Sequence, residues 1–534
     1  MGARKATRPA TGHRVRASDR RLHSRVSHST PSCAARELVM RYARASGVLV
    51  HPTSFSGRFG IGDLGAGARR VLDFLAAGRQ RLWQVLPLGP TGYGDSPYAS
   101  FSAFAGNHLL IAPDVLVVEG WLRPADLDAM PASPGGRVDY GAVHTAKLAL
   151  LRLAHERFRA AASGEQRAEL DAFVAGNAAW LDDYALFMAL KTAHFGGAWP
   201  GWEDGVARRD PAALGAARAT LAGEIALHQF LQWQFFHQWA DLRREAAARD
   251  IAIVGDLAIF VAHDSADVWA HRELFTLDER GMPEVVAGVP PDYFSPTGQR
   301  WGNPLYRWDV MAQTGYAWWI ERVRMALGTG DRLRLDHFRG FHAHWEIPGD
   351  APTAERGRWV PGPRRKLFDA LRRALGEVPI LAEDLGVITP PIDRLREHLG
   401  FPGMRVLQFA FGGDANSAHL PHTYAHDTVV YTGTHDNDTA LGWFASCAPR
   451  ERERALRYAA SDGREINWDL LRLALASVAD TAIVPLQDVL GLGSAARMNL
   501  PGRAAGNWAW RCVEEQLTPA VSARLAEVTS TYGR

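Results

Sequence analysis

Lysine is scarce in this chain. Of the 60 basic residues only Lys5, Lys147, Lys191 and Lys366 are lysines. We read that bias as genome composition rather than function. Net charge is nearly absent too: 60 basic against 58 acidic residues leave +2. A balance this even argues against a protein that grips a phosphate backbone, which needs a surplus of cations. Cysteine is limited to Cys33, Cys447 and Cys512, an odd number without metal-ligand spacing. That excludes a disulfide framework and points to a reducing compartment, hence the cytoplasm. No run of 18 apolar residues occurs, so no membrane span is expected. What is present is core material. With 47% apolar and 22% charged residues in 534, the chain is globular rather than disordered or collagen-like.

The charge is unevenly spread. Residues 1–39 carry nine basic and two acidic side chains, +7, which leaves −5 for the rest. This segment has no apolar periodicity. Arg20 and Arg21 form a pair, but no apolar stretch follows them as an export signal would require. The expectation is that translation starts at Met40, with a native disordered tail or a targeting segment as alternatives.

From residue 46 onward, short apolar runs alternate with segments of helical period. The runs are 47–51, 82–88, 251–260, 333–338, 378–385, 404–411, 428–434 and 481–486. Continuous apolar runs suit strands buried on both faces. Residues 364–375 put Leu367, Leu371 and Leu375 on one helical face. The helix after Thr389 begins at Pro390, with Thr389 as its N-cap, and aligns Ile392, Leu395 and Leu399. Eight strands with helices between them predict a (β/α)8 barrel over 40–534. The gap at about 107–250 is too long for one crossover and reads as a mostly helical insertion in a βα loop.

Catalytic groups of such barrels gather at the carboxyl ends of the strands. Here four ends carry acids: Asp256, then Asp336 beside Arg334, then Glu383 and Asp384, then Asp436 beside His435. Arg334 and Asp336 are two apart and share a face, while Leu333 and Leu335 point outward to the helices. A neighbouring arginine should lower the Asp336 pKa and keep it ionised, as a nucleophile requires. A second carboxyl kept protonated would serve as general acid. Two carboxyls about 5–5.5 Å apart make a retaining glycoside-cleaving pair. With 18 tryptophans the chain also has flat apolar platforms with a polar edge, suited to sugar rings.

Several longer segments carry a resemblance. They are HPTSFSG at 51–57, WQVLPLGPTGYGDSPYASFSAFAGN at 83–107, GVPPDYFSPTGQRWGNPLY at 288–306 and RLDHFRGF at 334–341. LAEDLGVITP at 381–390, YTGTHDNDT at 431–439 and ARMNLPG…GNWAWR at 496–511 complete the set. Together they resemble the amylomaltases, or 4-α-glucanotransferases, of glycoside hydrolase family seventy-seven in the α-amylase clan. The resemblance implies that Asp336 is the nucleophile, Glu383 the general acid/base, and Asp436 the stabiliser of the oxocarbenium-like state. It also implies that Arg334 orients Asp336, that His337 and His435 hydrogen-bond the sugar, and that Asp256 and Tyr98 complete the donor site. Tyr98 would stack on a sugar ring.

Residues 288–306 would form an aromatic lid, with Asp292, Tyr293 and Trp301 on the substrate, favouring transfer over hydrolysis. The expected partners are α-1,4-glucans and malto-oligosaccharides as donors, and glucose or malto-oligosaccharides as acceptors. No cofactor, metal, nucleic acid or membrane is expected, and the chain should act as a monomer or weak homodimer. The alternatives are an α-glucan hydrolase, a non-catalytic glucan binder and a metal-dependent barrel hydrolase. His342 and His344 read as loop residues rather than a metal pair. The glycines at 89, 92, 94 and 106 should let a loop run close to substrate. Trp508 and Trp510 should dock a helix on the barrel.

Overall fold

A computed structural model describes residues 43–534 except 131–134, 292–294 and 504. The basic extension, Met40, Asp292 and Tyr293 lie outside the described residues. Twelve strands occur among the described residues: β1 (Ala45–Leu49), β2 (Leu82–Gln84), β3 (Ala252–Leu257), β4 (Val285–Val289), β5 (Gln299–Pro304), β6 (Arg332–Leu335), β7 (Ala343–Pro348), β8 (Arg358–Pro361), β9 (Ile380–Ala382), β10 (Gly403–Val406), β11 (Thr428–Tyr431) and β12 (Thr481–Pro485). Eight of them, β1, β2, β3, β6, β9, β10, β11 and β12, pair in parallel and close into a barrel. Each lies within or overlaps one of the eight apolar runs, so the fold is the expected (β/α)8 barrel.

The helices cover the barrel through the leucines that strand parity pointed outward. Leu333 and Leu335 are buried in one cluster with Trp318, Trp319 and Val323 of the helix Ala317–Thr329. Leu367 and Leu371 of the helix Arg365–Leu375 join the same cluster. The helix Pro390–Leu399 buries Ile392, Leu395 and Leu399 as expected. Thr389 stands at its N-cap without a side-chain cap bond, so fixed proline geometry sets this helix start without help from the threonine hydroxyl.

Between β2 and β3 the chain is mainly helical. Tyr140–Ala161, Gly164–Ala193 and Ala222–Ala247 are its long helices. The last of these contacts both β3 and the helix Ala66–Ala77, and so serves as a wall of the barrel as well. Two of the scarce lysines are buried hereabouts. Lys147 donates to the Leu109 carbonyl at 2.7 Å and faces Asp63 at 3.5 Å, and Lys191 pairs with Asp264 at 2.6 Å.

A second elaboration is not helical. β5, β4, β7 and β8 form an antiparallel sheet in that order, drawn from the loops after β3 and β6. Within the segment 288–306, residues 288–289 and 299–304 are therefore paired strand rather than loop. Its strands hold few alternating apolar residues, since β5 reads QRWGNP, and pairing rather than patterning defines them. No helix among the described residues is long and apolar enough to cross a membrane.

Candidate active site

β3 and β6 are in register with Asp256 opposite Arg334. Both side chains turn into the barrel, where one guanidinium serves two carboxylates. Arg334 Nη1 donates to Asp256 Oδ1 at 2.8 Å and Oδ2 at 2.9 Å, and Nη2 lies 3.1 Å from Asp336 Oδ1. Tyr98 adds a hydroxyl to Asp256 Oδ2 at 2.7 Å. One layer below, the Tyr431 hydroxyl donates to Gln84 Oε1 at 2.8 Å. The mouth of the barrel is thus a satisfied polar network, which fixes its members rigidly.

Glu383 follows β9 and faces the same network. Its Oε2 accepts from the His337 amide at 2.6 Å and its Oε1 from the Leu385 amide at 3.0 Å. Burial raises its pKa to about 8, against the pull of Arg334 and with added repulsion from Asp336. It therefore carries a proton at neutral pH. Asp336 departs from the sequence reading. Burial outweighs Arg334, and its pKa rises to about 6 instead of falling. It remains mostly ionised at neutral pH, by a smaller margin than the arginine alone would give. Asp384, the other acid of that strand end, points away. It is buried against Arg396 at 3.2 Å and Arg405 at 3.3 Å, and it accepts from the Met404 amide at 2.6 Å. Adjacent residues on a strand face opposite ways, so only one of the pair can serve the site.

Asp436 is half-exposed and held from below. Asn499 Nδ2 donates to its Oδ1 at 2.6 Å, and Arg497 Nη2 donates to its carbonyl at 2.6 Å. His435 Nε2 lies 3.4 Å from Asp436 Oδ2, and burial lowers the His435 pKa. The loop carrying both residues is clamped at its two ends by one buried carboxylate. Asp488 Oδ2 accepts from the Thr432 hydroxyl at 2.6 Å, and Oδ1 from the Ala440 amide at 2.7 Å. Asp488→Ala should leave both donors unsatisfied and let the loop drift. A displacement of about 1 Å at an active site can cost about 100-fold in rate. We expect a kcat loss of that order with far-ultraviolet circular dichroism unchanged, measured by steady-state transfer kinetics.

Aromatic rings crowd the rim. Tyr98 stacks on His435 with centroids 5.2 Å apart, and Trp508 lies 5.9 Å from Tyr98 and 5.8 Å from His435. Trp301 of β5 stands edge-on to His337 at 4.9 Å and is 38% exposed. His337 has a left-handed backbone, φ 46°, uncommon for a residue other than glycine. Burial lowers its pKa to about 3, and its Nε2 is buried without a hydrogen-bond partner among the described residues. A neutral imidazole thus stands against Trp301, on the residue whose amide holds Glu383.

The profile of the glycoside hydrolase family 77, described as 4-alpha-glucanotransferase, matches residues 50–516. The chain belongs to this family. The 4-alpha-glucanotransferase of Thermus thermophilus is 54% identical over 503 residues, spanning 93% of this chain and all of its own length. That of Synechocystis is 50% identical over 495 residues, with 92% and 98% covered. Among solved structures, the amylomaltase from Streptococcus agalactiae in complex with acarbose superposes with a TM-score of 0.89. It is 40% identical, with 92% of this chain and 99% of that one covered.

For this 4-alpha-glucanotransferase-family chain, the structure brings together Tyr98, Asp256, Arg334, Asp336, His337, Glu383, His435, Asp436 and Trp301. Asp292 and Tyr293 are outside the described residues. Two sequence readings fail. Trp508 and Trp510 lie on no helix, since 505–512 is irregular; both are buried in the barrel cluster, where Trp508 packs on the site residues Tyr98 and His435. Nor do the glycines of 89–106 all serve the cleft. A Cβ on Gly106 would lie 1.9 Å from the Phe235 ring, so that glycine admits the helix Ala222–Ala247. Asn499 and Asp488 were missed. Asn499 lies within the ARMNLPG segment already singled out, but Asp488 ends a strand run as the other acids do and could have been found that way. His344 is buried against Phe260, and no group of three metal-binding side chains occurs among the described residues.

Proposed function

We infer that this chain transfers a segment of an α-1,4-glucan to the 4-hydroxyl of glucose or a malto-oligosaccharide, with retention of configuration. In this reading Asp336 attacks the anomeric carbon while Glu383 protonates the departing glycosidic oxygen. The acceptor hydroxyl then gives its proton to Glu383 and displaces Asp336. Arg334 orients Asp336, and Asp436 with His435 holds sugar hydroxyls as positive charge develops on the ring. His337 is proposed to hydrogen-bond the sugar, and Tyr98 and Asp256 bound the donor side. The observation that carries the reading is that two partly buried carboxyls face one network, Asp336 on the Arg334 guanidinium and Glu383 on the His337 and Leu385 amides, with burial raising Glu383 further than Asp336.

Transfer is favoured over hydrolysis by the hairpin of β4 and β5, which sets Trp301 against His337. Such a wall can bind an acceptor sugar and exclude water. Asp292 and Tyr293, which fall between β4 and β5 in the sequence, are proposed to touch the substrate. The free thiols Cys447 and Cys512 fit a reducing cytoplasm and a role in maltodextrin or glycogen turnover, as a monomer or weak homodimer. Incubation with maltotriose should yield glucose together with chains longer than three units. Glucose and maltose alone would identify a hydrolase.

A further inference from the structure

Trp359 lies on β8, an edge strand of the antiparallel sheet, and is 39% exposed. Two neighbours fix its indole. Trp345, its register partner on β7, meets it edge-on at 5.1 Å. The guanidinium of Arg339 lies over the ring at 3.7 Å. Arg339 is itself buried, and its Nη1 donates to the Val387 carbonyl at 2.7 Å, while its Nε has no partner among the described residues. Val387 is 61% exposed.

The positions in the chain give this arrangement its meaning. Arg339 stands three residues beyond Asp336. Val387 stands four beyond Glu383 and two beyond Leu385, whose amide holds the Glu383 carboxylate. Arg339 therefore ties together the segments that follow the two reacting acids, and Trp359 caps the tie. In a retaining exchange the leaving group, and later the acceptor, occupies the side of the general acid/base. A flat, exposed indole and an exposed valine are thus joined, through Arg339, to the loop that carries Glu383. An aromatic ring already immobilised by its neighbours costs little further entropy on binding. At the rim Arg358, paired with Glu346 at 2.6 Å and largely exposed, can meet sugar hydroxyls.

We propose that Trp359 and Val387, held by Arg339, form an accessory platform for the distal units of an α-1,4-glucan acceptor. This rests on the transferase reading above. The platform makes the enzyme prefer longer acceptors by contacts that glucose is too short to reach.

The test uses α-maltosyl fluoride as donor, with glucose or maltoheptaose as acceptor. Stacking of this kind is worth about tenfold in binding. Trp359→Ala should lower kcat/KM for maltoheptaose about tenfold relative to kcat/KM for glucose, and Trp359→Phe should recover most of the loss. An equal fall for both acceptors would mean that Trp359 only steadies the Glu383 loop, and no fall for either would mean an idle surface. Either result overturns the proposal. Calorimetry in an Asp336→Asn background should show maltoheptaose binding weakened by a similar factor when Trp359→Ala is added, and an unchanged Kd rejects the platform. If Trp359→Ala does not fold, Val387→Asp on the exposed rim carries the same comparison of acceptors. Wild-type protein that forms no transfer product would defeat the transferase reading, while the calorimetric comparison still decides the platform.

Discussion

Asp336→Asn should reduce transfer by about 10,000-fold or more, the scale expected when a covalent nucleophile is removed. The amide cannot form the glycosyl-enzyme, so neither half of the exchange proceeds. The fold should survive. Arg334 keeps both contacts to Asp256, and Asp256 keeps the Tyr98 hydroxyl, so no buried charge is stranded. The raised pKa of Asp336 adds to this expectation. A carboxylate that burial makes costly to ionise is held at some expense of stability, and a neutral amide removes that cost. The variant should therefore bind maltoheptaose with near-native affinity, melt at or above the wild-type temperature, and transfer almost nothing. Activity within tenfold of wild type, measured with maltotriose at neutral pH, would remove Asp336 from the nucleophile's role.

How much of this site could be read beforehand differs residue by residue, for physical reasons. The barrel was legible because strands buried on both faces must be continuously apolar, and Leu333 and Leu335 had to point at helices once Arg334 and Asp336 did not. The acids were legible because they end apolar runs. What periodicity cannot carry is the competition between burial and charge. Arg334 beside Asp336 suggested a lowered pKa, yet the depth of the site, a property of the closed barrel, reversed the sign. The antiparallel sheet was also invisible. The pairing of β4 with β7 joins segments far apart in sequence, and β8 is only four residues, RWVP, so Trp359 shows no local pattern that marks it. Trp508 misled for a related reason. A tryptophan near the end of a chain usually packs a helix, and only the folded route of 505–512 brings this one against Tyr98 and His435.

Glu383 leads to the second large effect, one that pH reveals. The proposed first step needs Asp336 ionised and Glu383 protonated. With pKa values near 6 and 8, kcat/KM should be bell-shaped, falling below about pH 6 as Asp336 gains a proton and above about pH 8 as Glu383 loses one. The two carboxyls interact, so these limbs belong to the pair, and the ionised Asp336 helps to raise the alkaline one. Glu383→Gln removes the acid. With maltotriose, whose leaving group needs a proton, kcat/KM should fall about 1,000-fold or more, within the usual range for general acid catalysis and its coupling to the nucleophile. With α-maltosyl fluoride, whose leaving group needs far less help, formation of the glycosyl-enzyme should be nearly normal, and covalent enzyme should accumulate for want of a base. Its alkaline limb should also disappear, because the group that loses a proton near pH 8 is gone, while the acid limb set by Asp336 stays near pH 6. Stability supplies an independent check. The folded pKa of Glu383 lies above its ordinary value, so the protonated carboxyl suits the fold, and stability is lost as pH rises through about 8. Glu383→Gln should therefore melt higher than wild type at pH 9 and close to it at pH 4. A loss of equal size with both donors, together with an unmoved alkaline limb, would place the acid elsewhere.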